Sequence, residues 1–302
     1  MHEGGQVSQE SVLGSAGLAP DPGRSPFRVA MRKLIRHPQG IIGGIVVIAV
    51  VACAIFAPVF APYDPDVINV PARLEGPSAE HLFGTDHLGR DVLSRVIFGS
   101  RASVLAGFVA TSIAVVFGTL FGMLAGYLQG PVDSVIMRVT DALLAFPNLV
   151  LMIAFAAVFG AGLGWAMVAI GISSIPNFVR LVRGQILSLR SREFVEASRG
   201  IGANHMRVAL LHILPNIFAP IIVWSSLTVG GAILAESALS FLGLGTQPPT
   251  ASWGSMVNQG NQYLRLAPWS AIFPGAAIFV TVIGVNLFGD ALRDMGDSRM
   301  KA

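Results

Sequence analysis

The chain has 302 residues, of which 53% are hydrophobic and only 12% are charged. Soluble globular domains carry roughly 25% charged residues, so this composition argues against a soluble enzyme or binding domain and predicts an integral membrane protein. The mean hydropathy of +0.67 supports the same prediction. The single cysteine, Cys53, excludes an intrachain disulfide and a Cys-x-x-Cys metal site.

The amino-terminal region changes character near residue 27. Residues 1–26 are rich in Gly, Ser and Pro and lack an apolar core, so we expect a disordered cytoplasmic tail rather than a cleavable signal peptide. Residues 27–63 contain the first long apolar stretch, which begins near Gly40 and predicts a first transmembrane helix that remains as an anchor. Residues 64–100 are predicted to form an extracytoplasmic loop.

Five further spans are predicted within residues 101–290. The 31 uncharged residues between Arg101 and Asp133 suit one helix, since a span needs about 20 apolar residues. The 38 between Asp141 and Arg180 suit a helical hairpin, with a glycine-rich turn at 160–164. The last two spans are predicted at 208–235 and 266–289, before a cytoplasmic carboxy-terminus at 291–302.

These apolar stretches are continuous, whereas the strands of a membrane barrel alternate apolar and polar residues. We therefore expect an all-α integral membrane protein with six transmembrane helices. Lys and Arg favour short cytoplasmic loops, and 15 of the 20 basic residues lie inside when both termini are cytoplasmic. The same bias accounts for the formal charge of +3, so we predict no nucleic-acid partner.

A polar break at residues 185–210 separates two apolar stretches and is predicted to face the cytoplasm. It contains Glu196-Ala197-Ser198 and then Gly202, and the sequence His212-Ile-Leu214-Pro215 follows it. Small residues permit the close approach of a partner, Gly202 permits a sharp turn, and Pro215 limits how the next helix begins. The alternative interpretation is an ordinary amphipathic connector.

This spacing resembles the cytoplasmic EAA motif of ABC importer permeases. In that motif Glu-Ala-Ala is followed after three residues by Gly, and after nine more by Ile-x-Leu-Pro. The chain departs from it at Ser198, which replaces the second alanine, and at His212, which replaces isoleucine. Because serine is small, we expect the segment to remain functional.

The resemblance extends over about residues 27–300 and is most specific for the dipeptide/oligopeptide/nickel subgroup. Residues 81–103 are similar to the external loop of that subgroup, and their Gly84-Thr85-Asp86 and Gly89-Arg90-Asp91 elements resemble its C-type member. Further similarity is found at Ala145-Phe146-Pro147, in the run 236–245 and in the run 286–294.

The resemblance implies a type I ABC importer (MetI-like) permease fold in a bacterial-type plasma membrane. It implies partners: a homologous second permease, two ABC ATPase domains, an extracytoplasmic substrate-binding protein and membrane lipid. It also implies import of dipeptides or oligopeptides, with nickel or another small solute as the alternative. The residues implied to transmit ATPase movement are Glu196, Ala197, Ser198, Gly202, His212, Leu214 and Pro215.

The chain is not expected to hydrolyse ATP itself. Its two lysines, Lys33 and Lys301, are not preceded by glycine, so the phosphate-binding sequence Gly-x-x-x-x-Gly-Lys-Ser/Thr does not occur. ATP and Mg²⁺ are therefore expected on the partner subunits, and no cofactor, metal or catalytic residue is predicted in this chain.

Charged residues at membrane depth are costly and are therefore candidates for function. We expect Asp141 to pair with Arg138 one turn away, and Glu236 either to form a buried hydrogen bond to a neighbouring helix or to contact substrate. Ser237 and Ser240 are candidate partners of Glu236. Glycines at 118, 122 and 126 predict a close helix contact.

Three alternative functions remain open at this level. The residues His81, Asp86, His87 and Asp91 could form a metal site, although their glycine and arginine neighbours favour a folded loop with internal salt bridges. An intramembrane protease is disfavoured because Ser173 and Ser174 have no histidine at membrane depth. A passive channel subunit is opposed only by the segment at 185–210.

Overall fold

The computed structural model describes residues 37–193, 195, 198, 204 and 207–297. The predicted tail at 1–26 and the residues Glu196, Ala197 and Gly202 lie outside the described residues. Within the described part the chain is helical and has no strand, with one isolated bridge between Thr85 and Asp91. The α-helices are α1 (Pro38–Ile55), α2 (Ala57–Phe60), α3 (Val92–Leu128), α4 (Gly130–Leu144), α5 (Asn148–Phe159), α6 (Leu163–Leu189), α7 (Leu214–Phe241), α8 (Trp253–Asn261) and α9 (Trp269–Asp297).

Five of the described helices are long and apolar enough to cross a bilayer: α1, α3, α6, α7 with the π-helical turn Val208–Ile213 before it, and α9. A sixth span results when α4 and α5 are taken together, although they are bent by 92° at the break between them. Pro147 stands immediately before α5, where its ring favours the start of a new helix over continuation of the previous one. The predicted all-α membrane fold is confirmed.

Helix α3 begins earlier and ends earlier than the sequence suggests. The charge pattern predicts its start at Arg101, but the helix starts at Val92 because the Asp91 carboxylate accepts a hydrogen bond from the Ser94 amide. Its 37 residues span about 55 Å, longer than the roughly 30 Å hydrocarbon core, and its first turns lie within residues 64–100, the predicted external segment. The helix ends at Leu128, where Gln129 and Gly130 have φ values of 54° and 61°.

The predicted hairpin turn is confirmed. Helix α5 ends at Phe159 and α6 begins at Leu163. Gly160 between them has a φ of 96°, which L side chains rarely adopt. The amide of Gly162 donates to the Leu244 carbonyl at 3.2 Å, so this turn is attached to the loop that follows α7.

Helices α3 and α6 pack closely and run parallel, and the predicted glycine contact is found here. A methyl group at Gly118 would collide with the side chain of Phe178, and one at Gly122 would lie 2.7 Å from Cβ of Val182. One turn further, Gly126 faces Ile186 in the same way. Because both members of each pair advance together along their helices, the two helices descend side by side from the external segment toward residue 189.

Candidate coupling site and intramembrane polar cluster

The segment predicted to transmit ATPase movement is anchored in the core by Val195. This residue is helical and fully buried, and it belongs to a hydrophobic cluster with residues of α6, the π-helical turn and α7. Ser198, one helical turn further, is also buried. The cluster contains Ala114, Phe178, Val182, Ile186, Val195, Val208, Ile213, Ile217 and Ile221.

The carboxy-terminal part of the predicted motif forms the entry to α7. Leu214 is half-buried and packs against the same cluster, whereas Pro215 is exposed at the first turn of the helix. His212 is half-buried, and its carbonyl accepts a hydrogen bond from Asn216 Nδ2 at 2.6 Å. The structure thus describes four of the predicted motif residues: Ser198, His212, Leu214 and Pro215. Two apolar residues that hold the segment in the core, Val195 and Val208, were not predicted, because the motif does not include them.

The cluster joins this segment to the glycine-mediated pair α3–α6, since Phe178, Val182 and Ile186 contact both the cluster and the glycines of α3. Helix α6 leads directly to Val195 at its far end, and α3 begins in the external segment at Val92. Close-packed helices move as rigid bodies because interdigitated side chains resist compression. The arrangement can therefore transmit a displacement of the segment across the membrane.

Two ion pairs connect α4 to α6, in the part of α6 that also contributes to the hydrophobic cluster. Arg183 donates from Nε and Nη2 to both carboxylate oxygens of Asp133, at 2.6 and 2.7 Å. Arg180 donates from Nη2 to Asp141 Oδ1 at 2.7 Å, and both of these side chains are exposed. The predicted pairing of Asp141 with Arg138 is wrong, because α4 lies alongside α6 and presents Asp141 to a different arginine.

Glu236 forms the centre of a buried polar cluster. Its carboxylate is fully buried and accepts hydrogen bonds from three hydroxyl groups: Ser240 at 2.6 Å, Thr246 at 3.2 Å and Ser103 at 3.3 Å. Ser103 is on α3, so the buried hydrogen bond to a neighbouring helix is present. Of the two predicted serine partners, Ser240 binds Glu236, whereas Ser237 donates to the Ile233 carbonyl of its own helix.

The predicted external segment before α3 is held together by charged groups. Asp86 accepts a hydrogen bond from Arg90 Nε at 2.7 Å and lies 3.7 Å from Arg95 Nε, while Arg95 also pairs with Asp66 at 3.2 Å. His81 Nδ1 lies 3.0 Å from Asp91 Oδ1. The expected folded loop with internal salt bridges is present, and no group of three His, Cys, Asp or Glu residues in the described part of the chain could hold a metal ion.

The two glycines of the external motif are required by the backbone. Gly84 and Gly89 have φ values of 71° and 76°. A side chain at Gly89 would also collide with the Asn69 carbonyl. Two further contacts attach the segment to the rest of the protein: Trp253 Nε1 donates to the Val96 carbonyl at 2.8 Å, and Trp269 Nε1 donates to the Thr85 carbonyl at 3.0 Å.

His87 is packed against Tyr263, with the ring centroids 5.4 Å apart and the planes nearly parallel. Burial lowers the pKa of His87 below its ordinary value, and the cations Arg90, Arg95 and Arg73 act in the same direction. Asp86 opposes the shift but does not overcome it. His87 therefore stays neutral at lower pH than an exposed histidine would.

Comparison with known families and proteins identifies the architecture. Residues 118–302 match the family described as the inner membrane component of binding-protein-dependent transport systems, and residues 25–77 match the N-terminal transmembrane domain of oligopeptide transport permease C. A chain of the MetNI methionine ABC transporter, solved in inward-facing conformations, superposes with a TM-score of 0.56 at 16% identity. That match covers 67% of this chain and 97% of the other, and it supports the fold alone.

Curated relatives are similar along nearly the whole chain. The dipeptide transport system permease protein DppC of Alkalihalophilus pseudofirmus is 44% identical over 92% of this chain and 91% of the relative. The glutathione transport system permease protein GsiD of Shigella flexneri serotype 5b is 44% identical over 97% of both chains. The chain therefore belongs to the family of inner membrane components of binding-protein-dependent transport systems, and it is the permease component of an ABC importer.

Proposed function

We propose that this permease imports short peptides, with dipeptides and tripeptides of the size of glutathione as the substrate class. The relatives named for dipeptide and for glutathione transport are equally similar to this chain, at 44% identity. Glutathione is itself a tripeptide, so the two names share one chemical class. Their coverage of more than nine-tenths of the chain supports the transfer to this protein.

The observation that carries the coupling mechanism is the buried anchor at Val195. A partner that moves the segment around Glu196 and Gly202 would displace Val195, and Val195 is packed on the inner end of α6. Helix α6 is in close contact with α3, whose first turn carries the hydrogen bonds and ion pairs of the external segment. Movement at one face of the membrane would thereby change the arrangement of helices at the other.

We further propose the assembly in which this movement occurs. The chain pairs with a homologous permease, two ATPase domains bind ATP and Mg²⁺ and contact the segment at 185–210, and an external binding protein delivers the peptide. Both termini are cytoplasmic in this arrangement, since it places most of the basic residues inside. The residues that we propose transmit the movement of the ATPase in this segment are Glu196, Ala197, Ser198 and Gly202.

The two intramembrane acids take different roles in this proposal. Glu236 is fully buried with three hydroxyl donors, which supports a role in holding α3, α7 and the loop after α7 together. In the Asp141–Arg180 pair, both side chains are exposed. Exposed charges avoid lipid hydrocarbon, so we propose that this pair faces the partner permease or the aqueous pathway.

The decisive experiment is transport by the complete importer in proteoliposomes, with labelled dipeptide, glutathione and Ni²⁺ tested separately. Gly202→Asp introduces a side chain and a charge into the motif that begins at Glu196, and Ser191→Asp is the matched control because it adds the same charge at an exposed position before that motif. Assembly of each complex is measured by size-exclusion chromatography.

We expect ATP-dependent peptide uptake in the parent and in Ser191→Asp, and a loss of at least tenfold in an assembled Gly202→Asp complex or a loss of the ATPases from it. Uptake of Ni²⁺ without peptide uptake would overturn the substrate class. Uptake that proceeds without ATP would favour a passive channel instead. Unchanged uptake by an assembled Gly202→Asp complex would contradict the coupling role of this segment.

A further inference from the structure

A cavity of about 430 Å³ opens between α1 and the body of the protein. Its walls are formed by α1, α3, α7 and α9, and eleven of the sixteen residues that line it are apolar, while the other five are serines and threonines. Protein interiors contain few voids larger than a water molecule, and an apolar cavity does not hold water stably. A space of this size among membrane-spanning helices therefore requires an apolar occupant.

The cavity results from the way in which α1 is attached. On one side α1 packs tightly on α9, since a methyl group at Gly43 would lie 2.5 Å from the Phe288 amide nitrogen and one at Gly284 would collide with Val46. At its far end α1 is held by Arg101 of α3, whose Nε donates to the Ala54 carbonyl at 2.8 Å. Between these attachments α1 stands away from α3.

The mouth of the cavity opens on the outer surface of the described helices. Phe108 and Val116 of α3 line the cavity, yet their exposed fractions are 55% and 60%. The neighbouring outward side chain of α1, Ile48, is 71% exposed. Serine hydroxyls in the lining are already used, because Ser112 and Ser225 donate to carbonyls one turn earlier in their own helices. Thr111 Oγ1, also in the lining, is buried without a hydrogen-bond partner among the described residues, so the surface offered to an occupant is apolar except at this hydroxyl.

A cation, Arg101, lies one turn from the lining of the cavity, and its Nε and Nη2 donate to the carbonyls of Ala54 and Ile55. Arg101 lies one turn before Val104, which lines the cavity, and it precedes the longest uncharged part of α3. Its guanidinium lies 5.0 Å from the ring centroid of Phe98 and forms no ion pair with any residue in the described ranges. At the end of an apolar run this position corresponds to the level of lipid headgroups.

We propose that this cavity is a binding site for one phospholipid, with an acyl chain between α1 and α3 and the phosphate on the guanidinium of Arg101. The apolar walls match the chain, and the unpaired cation at the headgroup level matches the phosphate. The lipid would fill the space that α1 leaves and would hold this helix against the permease core.

The test is lipid titration of the purified, delipidated importer complex, followed by native mass spectrometry. Phosphatidylglycerol and diacylglycerol are compared, because they share acyl chains but only the first has a phosphate. Val50→Trp fills the cavity from α1, and Ile48→Trp is the matched control, since it adds the same side chain to the same helix on the outward side. Arg101→Gln removes the cation.

We expect one tightly bound phosphatidylglycerol per copy of this chain in the parent and in Ile48→Trp, and loss of this binding in Val50→Trp. In the parent, diacylglycerol should bind roughly tenfold more weakly, a difference of about 1.4 kcal/mol, and Arg101→Gln should abolish that difference because the charged hydrogen bond to the phosphate is lost.

The proposal is overturned if the parent retains no specific phospholipid, which is also the result expected if a helix of another subunit occupies the cavity. It is overturned equally if Val50→Trp binds phosphatidylglycerol as the parent does, or if both lipids bind the parent alike. The comparison of the two lipids on the parent needs no variant, so it stands even if Val50→Trp fails to assemble.

Discussion

Arg183 and Asp133, fifty residues apart in the sequence, form a two-point hydrogen bond between α6 and α4, with N–O distances of 2.6 and 2.7 Å. The planar guanidinium matches the carboxylate at both oxygens, and the pair is shielded from solvent over most of its surface. It fixes the start of α4 against α6, the helix that leads to the segment at 185–210.

We therefore predict that Arg183→Lys lowers the stability of the purified complex by about 1–3 kcal/mol, because lysine keeps the charge but loses the second hydrogen bond. The measurement is thermal unfolding, with Arg138→Lys as the control, since Arg138 is exposed and on α4 itself. Equal effects of the two substitutions would show that the two-point geometry is unimportant. The double variant Asp133→Arg with Arg183→Asp exchanges the two charges, and we expect it to be more stable than either of its single substitutions.

We predict that position 236 tolerates an amide side chain better than an apolar one. In Glu236→Gln the remaining carbonyl oxygen can still accept from Ser240, whereas Glu236→Leu leaves the hydroxyls of Ser103, Ser240 and Thr246 without their acceptor. Each buried hydroxyl without a partner costs about 1–3 kcal/mol. We expect Glu236→Leu to reduce assembly severely and Glu236→Gln to reduce it mildly, as measured by size-exclusion chromatography. Equal assembly of both variants would contradict the hydrogen-bonding role.

The close packing of α3 on α6 predicts a strong effect of one methyl group. Gly118→Ala should separate the two helices and reduce transport, because the new Cβ collides with the side chain of Phe178. Gly184→Ala is the matched control on α6, where a new Cβ meets no atom within 4 Å. There alanine should be neutral or stabilise the helix by up to about 1 kcal/mol. Transport activity normalised to assembled complex distinguishes these outcomes, and equal activities would argue against rigid transmission through this pair.

A pH dependence is predicted at the external segment. Burial, assisted by Arg90, Arg95 and Arg73, lowers the pKa of His87 in the folded protein, whereas the unfolded chain titrates near the ordinary value of about 6.5. Between these two values the unfolded chain binds more protons, so stability is present above pH ~6.5 and is lost as the pH falls toward the folded pKa.

His87→Phe keeps an aromatic ring against Tyr263 but cannot be protonated. We expect the unfolding temperature of the parent to fall more steeply than that of the variant when the pH is lowered from about 7.5 to about 5. Parallel profiles of the parent and His87→Phe would show that this histidine does not titrate in the folding equilibrium.

The sequence by itself determined the order of the long apolar helices, the hairpin turn near Gly160 and the glycine contact at Gly118, but not the bend between α4 and α5. These features depend on local properties: the length of an apolar run, the backbone freedom of glycine and the spacing of small residues along one helix face. The motif around Ser198 and Pro215 could also be identified from the sequence, because it is a short run of residue types with a definite spacing.

The tertiary structure alone decided which side chains meet. Asp141 pairs with Arg180 rather than Arg138, and Glu236 is reached by Ser103 from a helix 133 residues away in the sequence. The start of α3 at Val92 depends on a cap provided by Asp91, and the cavity beside α1 depends on close contact with α9. A hydrophobic pattern specifies that a helix is buried. The partner of a charged side chain depends instead on which helix lies beside it and on how the two helices are shifted along their axes.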